Sequence, residues 1–209
     1  MANTTTQYEI PTWNQIHKML LNQAKKIQKN NYQPDIIIGI AQGGTIPTRI
    51  LTDLLQQKNP QTTTNTPIIT SIEIKFYKNI AQTNNKPTLK QPLTIPINDK
   101  KILIVDDISD TGQTLKLAKQ HLTEKGAIET KTATLYTKTT TQTPPDYAEK
   151  TTNKWIVFPW EINETIQNIL QKHKKDNQTT NNEFTQLVKA GIPKQLLKQT
   201  LKTIQEQQH

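Results

Sequence analysis

The stretch from Ile102 to Leu115 leaves this chain few ways to fold. Lys101-Ile-Leu-Ile-Val-Asp-Asp107 predicts a buried strand ending in acid, because its apolar run, Ile102 to Val105, is short and mostly β-branched, without polar alternation. That run leads straight into Asp106 and Asp107, two carboxylates that are costly to bury without donors. Asp110-Thr-Gly-Gln-Thr114 then reads as a turn, and a helix is predicted from Thr114 to Lys125, closed by Gly126. Parallel α/β sheets bind ligands where such a strand hands over to its helix.

The same unit occurs earlier in the chain. Asp35-Ile-Ile-Ile-Gly-Ile-Ala41 predicts a second buried strand, Gly43-Gly44 a loop, and Thr48 to Gln56 a helix entered through Pro47. A first helix is predicted from Trp13 to Lys29, because Thr12 and Gln15 have capping-box spacing and Ile16, Leu20, Ala24 and Ile27 share one face. Further strands are expected at Ile68 to Ile74, Lys131 to Tyr136 and Trp155 to Phe158. The fold class is therefore α/β, a mostly parallel sheet flanked by helices. The segment Lys78 to Lys100 is polar, carries three prolines and is expected to add little core, as a lid would. From Asn163 a polar appendage of two short helices, broken near Gly191-Ile-Pro193, sets domains at 1–162 and 163–209.

Lys and Arg number 26 against 17 Asp and Glu, a net charge of +9, but the lysines are spread without a dense run. Nucleic acid is therefore not an expected partner, whereas a phosphate-rich small substrate or a biased composition accounts for the charge. The chain has no cysteine, which excludes disulfides and thiolate chemistry. No run of apolar residues is long enough to span a bilayer, so the expected location is cytoplasmic, with no membrane partner. His17, His121, His173 and His209 lack metal-ligand spacing, and no metal is assigned to direct side-chain ligation.

The acid pair and the turn have a shared chemistry. Asp106 and Asp107 suit the vicinal hydroxyls of a ribose, while successive N–H groups from Asp110 to Thr114, with the hydroxyls of Thr111 and Thr114, suit a phosphate at the positive end of a helix. Ser109 or Asp110 acting simply as a helix cap is the plainer alternative. Strand, acid pair, Asp-Thr-Gly-x-Thr and helix in register favour binding.

This stretch resembles the signature of the type I purine phosphoribosyltransferases, in particular the short bacterial and archaeal xanthine–guanine and hypoxanthine enzymes. The resemblance covers about Trp13 to Glu161. It implies transfer of the phosphoribosyl group from 5-phosphoribosyl diphosphate to a 6-oxopurine (hypoxanthine, guanine or xanthine), releasing diphosphate, in purine salvage. It also implies Mg²⁺ held mainly through the diphosphate, and a homo-oligomer, dimer or tetramer. The substrate diphosphate would meet Gln42, Gly43 and Gly44, and its ribose 5-phosphate would meet Asp106, Asp107, Asp110, Thr111, Gly112, Gln113 and Thr114. Asp110 is the implied general base. Phe76 and Tyr77 resemble the start of the lid, Lys138 the lysine that reads the six-position oxygen, and Trp155, Ile156 and Glu161 the purine-binding segment. A lysine or tryptophan alone would say little; their order relative to the Asp-Thr-Gly loop gives these two meaning. Many relatives carry Arg or Lys where this chain has Gln42, which leaves backbone donors, Mg²⁺ or Lys75 to compensate. The alternative function is a non-catalytic sensor of phosphoribosyl diphosphate or a nucleotide with the same fold.

Overall fold

The computed structural model describes residues 7–56, 66–77, 86–176 and 180–207, apart from the side chains of 76–77 and 174–176. The elements run β1 (Tyr8–Glu9), α1 (Trp13–Lys29), β2 (Ile36–Ala41), α2 (Thr45–Leu54), β3 (Ile68–Tyr77), β4 (Lys86–Gln91), β5 (Lys101–Ser109), α3 (Gln113–Glu124), β6 (Glu129–Thr137), β7 (Tyr147–Thr151), β8 (Trp155–Ile156), α4 (Ile162–Asp176), α5 (Asn181–Ala190) and α6 (Lys194–Glu206). They form two compact units. One is His17–Thr152; the other joins the described residues up to Ile16 to those from Asn153 onward.

In the first of these, six strands make one sheet in the order β4-β3-β2-β5-β6-β7, parallel throughout except for β4. The two apolar runs read from the sequence lie side by side at its centre, Ile36 opposite Ile102 and Gly39 opposite Val105. Alternation along β2 decides what covers each face. Ile36, Ile38 and Ile40 pack with Leu115, Ala118 and Leu122 of α3, whereas a Cβ on Gly39 would stand 2.7 Å from the hydroxyl of Thr48 on α2. Helices thus cover both faces, and each fully buried Ile side chain contributes about 1.5–3 kcal/mol. The capping box forms as expected: the Gln15 amide donates to Thr12 Oγ1 (3.2 Å) and the Thr12 amide to Gln15 Oε1 (2.8 Å).

Four expectations are corrected. The segment Lys78 to Lys100, expected to add little core, contributes Leu93 and Ile97, which are 2% and 1% exposed in the α3-side cluster. Its prolines break helix and strand but do not prevent the apolar residues between them from packing. Three strands went unread: β1, β4, which contains Pro87 and pairs antiparallel at the sheet edge, where a missing N–H can face solvent, and β7. The strand expected at Trp155 to Phe158 is only Trp155–Ile156, and it pairs in parallel with β1 instead of extending the main sheet. The appendage has three helices, because α4 is also helical.

The second unit builds its core from Val157, Ile166, Ile169, Leu187, Ile192, Leu197 and Ile204, with Tyr8 and Ile10 packed against them. The expected boundary after residue 162 therefore falls inside this unit, whose apolar residues come from both sides of it. Among the described residues no helix is long and apolar enough to cross a membrane.

Candidate active site

β5 continues two residues beyond the predicted strand, to Ser109, while its pairing with β2 stops at Val105. The space left beyond the end of β2 is where the glycine loop turns back. A Cβ on Gly43 would land on the carboxylate of Asp107, and one on Gly44 would land on the carbonyl of Val105. Gly44 meets backbone and admits only a hydrogen, whereas Gly43 meets the Asp107 side chain, so the Gly43–Gly44 backbone lies directly on β5. Gly44 is buried and Gln42 exposed.

Asp106 and Asp107 are 9% and 6% exposed, and the Asp107 amide donates to Asp106 Oδ1 at 3.0 Å. The chain then turns through exposed Asp110 and Thr111 to Gly112, which sits at φ 81° as the residue before α3 and makes no side-chain cap bond. The capping role considered for Ser109 or Asp110 is thus not what the structure shows. Ser109 is buried, and its hydroxyl lies 3.1 Å from that of Thr141. Residues Asp106 to Leu115 line a cavity of about 450 Å³ at the N-terminus of α3. Every residue predicted for the ribose and its phosphate is in that lining.

Lys138, half-buried, directly follows β6, and its amide donates to the Ser109 carbonyl at 2.9 Å. The sheet unit therefore brings together the glycine loop, the acid pair, the turn and the Lys138 backbone. Glu73 lies opposite Ala41 in the β2–β3 register, and Lys75 forms a 2.7 Å ion pair with it. The proposed substitute for a cation at position 42 is thus on the neighbouring strand with a carboxylate as partner.

Trp155, Ile156 and Glu161 belong to the other unit. Trp155 is 60% exposed, so the ordinary fate of a tryptophan in a core does not apply to it, while Ile156 is buried. Phe158 and Trp160 stack with centroids 4.8 Å apart, and Trp160 meets Trp13 at 5.5 Å. The Glu161 amide closes a turn on the Phe158 carbonyl (2.9 Å). Phe76 and Tyr77 end β3, with backbone partners Pro87 and Lys86. The first part of the expected lid, residues 78–85, and the side chains of both residues lie outside the described residues. Sequence reasoning missed Thr141, whose threonine-rich surroundings read only as a loop.

Residues 9–165 match the model of the phosphoribosyl transferase domain. The chain belongs to the purine phosphoribosyltransferase family. The hypoxanthine-guanine phosphoribosyltransferase of Schizosaccharomyces pombe is 30% identical over 184 residues, covering 72% of this chain and 87% of the relative. The xanthine-guanine phosphoribosyltransferase of Nitratidesulfovibrio vulgaris is 29% identical over 153 residues, covering 72% and 82%. Among solved structures, a purine phosphoribosyltransferase from Pyrococcus horikoshii aligns with a TM-score of 0.63 and 37% identity, over 74% of this chain and 94% of that one. The family match stops where α4 begins, so most of the helical tail lies beyond the part shared with the phosphoribosyltransferase domain.

Proposed function

We propose that this chain transfers the phosphoribosyl group of 5-phosphoribosyl diphosphate to a ring nitrogen of a 6-oxopurine, releasing diphosphate, in cytoplasmic purine salvage. The observation that carries this reading is the cavity lined by Asp106 to Leu115, with the glycine loop laid on Asp107 at its edge. Asp106 and Asp107 accept hydrogen bonds from the ribose hydroxyls. The first amides of α3 and the Thr111 and Thr114 hydroxyls hold the 5-phosphate, and the backbone of Gly43 and Gly44 meets the diphosphate. The bond from the anomeric carbon to the diphosphate oxygen breaks as the bond to the purine nitrogen forms. The proton from that nitrogen passes to exposed Asp110. Lys138 donates to the six-position oxygen, Trp155 stacks on the ring, and Ile156 and Glu161 meet its edge.

Among the described residues no group of three or more His, Asp or Glu side chains converges. The carboxylates at the cavity are those of Asp106, Asp107 and Asp110, of which the first two are assigned to the ribose and the third to the purine proton, so Mg²⁺ would be held chiefly by substrate and water. Bound there, the ion would neutralise charge on the leaving diphosphate. The test is an assay of the purified protein with 5-phosphoribosyl diphosphate, Mg²⁺ and hypoxanthine, guanine, xanthine, adenine or uracil. Nucleotide formation with the 6-oxopurines and little with adenine is the expected result. Binding of 5-phosphoribosyl diphosphate without turnover on any base would favour the sensor alternative.

A further inference from the structure

The Ser109–Gly112 turn proposed to cradle the phosphate is tied to a second segment of the chain. It is held from outside by the strap Lys138–Thr143, through three contacts that the proposed reaction does not use. The Lys138 amide donates to the Ser109 carbonyl (2.9 Å), the Gln142 amide donates to the Thr111 carbonyl (3.0 Å), and the Ser109 hydroxyl meets Thr141 Oγ1 (3.1 Å). In addition, Thr141 Oγ1 donates to the Thr143 carbonyl at 3.4 Å.

The Ser109 and Thr141 hydroxyls each carry one proton and either can donate across their contact, while the Thr143 carbonyl only accepts. Ser109 is 2% exposed, so a hydroxyl left there without an acceptor would cost free energy that a surface serine would not. The strap also presses on the one residue of the turn that must be glycine: a Cβ on Gly112 would stand 2.7 Å from the Thr143 carbonyl oxygen and 2.8 Å from Thr141 Oγ1. In a trans peptide the carbonyl and the next N–H point opposite ways. With the Ser109 and Thr111 carbonyls turned to the strap, the Asp110 and Gly112 amides are turned away from it.

We propose that Thr141 is a positioning residue for the phosphate cradle, holding the Ser109–Gly112 turn so that its amides present one fixed anion site. The proposal rests on the transferase reading above. Because Thr141 acts on the turn and not on the base, its loss separates the two substrates kinetically.

The experiment compares wild type with Thr141→Val, which keeps the shape and removes the hydroxyl, Thr141→Ser, which restores it, and Ser109→Ala, which removes the other half of the pair. KM for 5-phosphoribosyl diphosphate, KM for the purine and kcat are measured, and binding of 5-phosphoribosyl diphosphate with Mg²⁺ is measured by calorimetry. Thr141→Val and Ser109→Ala should each raise KM and Kd for 5-phosphoribosyl diphosphate about tenfold, the scale of one buried hydrogen bond, with the purine KM within about twofold. Thr141→Ser should return both to near wild type. Unchanged values in Thr141→Val, or equal rises in both KM values, would overturn the positioning role while leaving the transferase reading intact. Wild type that binds 5-phosphoribosyl diphosphate without turnover would overturn the transferase reading, and the calorimetric arm would still decide Thr141. Wild type that does not bind it would overturn both.

Discussion

The glycine loop after β2 and the acid pair and turn at the end of β5, both proposed to hold the same substrate, are built on neighbouring central strands by opposite means. After β2 the chain supplies Gly43 and Gly44, with no side chain; the end of β5 and the turn after it supply Asp106, Asp107, Asp110, Thr111 and Thr114, side chains as well as backbone, backed by a strap. Closeness explains the division. The β2 loop rests on the Asp107 carboxylate and the Val105 carbonyl, so any side chain there would occupy space already taken by the β5 loop. One loop can be rich in chemistry because the other is bare.

This contrast can be broken most severely at Gly44. A Cβ there would meet the backbone of Val105 and Ile40, neither of which can move without parting the central strands. Gly44→Ala should cost about 3 kcal/mol, read as a fall in melting temperature of roughly 6–12 °C. Gly43→Ala pushes instead on an acid side chain, so the damage should move from fold to function: a small change in melting temperature and a fall in kcat/KM. An equal loss of stability in both variants would show that the loop's glycines serve packing only.

The side-chain half of the comparison is next in size. Asp106→Asn and Asp107→Asn should each lower kcat/KM for 5-phosphoribosyl diphosphate by about ten- to a hundredfold, the worth of a hydrogen bond to a charged group, while the protein stays folded by circular dichroism. Unchanged kinetics in both would remove the ribose assignment. Base selection should depend on neither loop. Lys138→Ala should narrow the preference for hypoxanthine over adenine about tenfold, and Trp155→Ala should weaken all accepted purines alike, by about 1–3 kcal/mol. Competition assays with paired bases distinguish the two outcomes.

The smallest effect concerns His121 on α3, whose Nε2 accepts a hydrogen bond from the Leu93 amide at 3.3 Å. Burial, with Lys125 adding to it, lowers its pKa from the ordinary 6.5, so the fold prefers the neutral ring. The unfolded chain then binds more protons than the folded one, and stability falls as pH drops below about 6.5. His121→Gln keeps an acceptor without titrating and should flatten melting temperature against pH over that window. An unaltered slope would assign it to other groups.

The parts of the molecule legible in the sequence were those where one local signal and the global fold agree. Ile36–Ala41 and Ile102–Val105 are continuous apolar runs because both faces are covered, and Thr12 with Gln15 is a cap that needs no tertiary partner. The acid pair and its turn were legible for the same reason, being contiguous in the chain. What escaped depends on distant partners. Lys86–Gln91 becomes a strand only because β3 lies beside it, and Leu93 and Ile97 look isolated until α3 supplies their neighbours. Thr141 matters only through Ser109 and Gly112, thirty or so residues away in sequence, and a run of threonines and prolines gives no sign of that.

The pairing of Tyr8 with Trp155, and of Glu9 with Ile156, has a consequence for how the protein is made. A ribosome delivers Tyr8 well before Trp155, and the Leu187, Leu197 and Ile204 that share a core with Val157 later still. His17–Thr152 has by then emerged whole and can settle around its own sheet, since domains fold as units while synthesis proceeds. The strand partner, the tryptophan proposed for the purine and the helices that support them must wait for one another. A nascent chain would thus complete the cavity proposed for the sugar phosphate before the segment proposed for the base, and a ribosome stalled short of α5 would leave Ile10 and Val157 uncovered for chaperones to find.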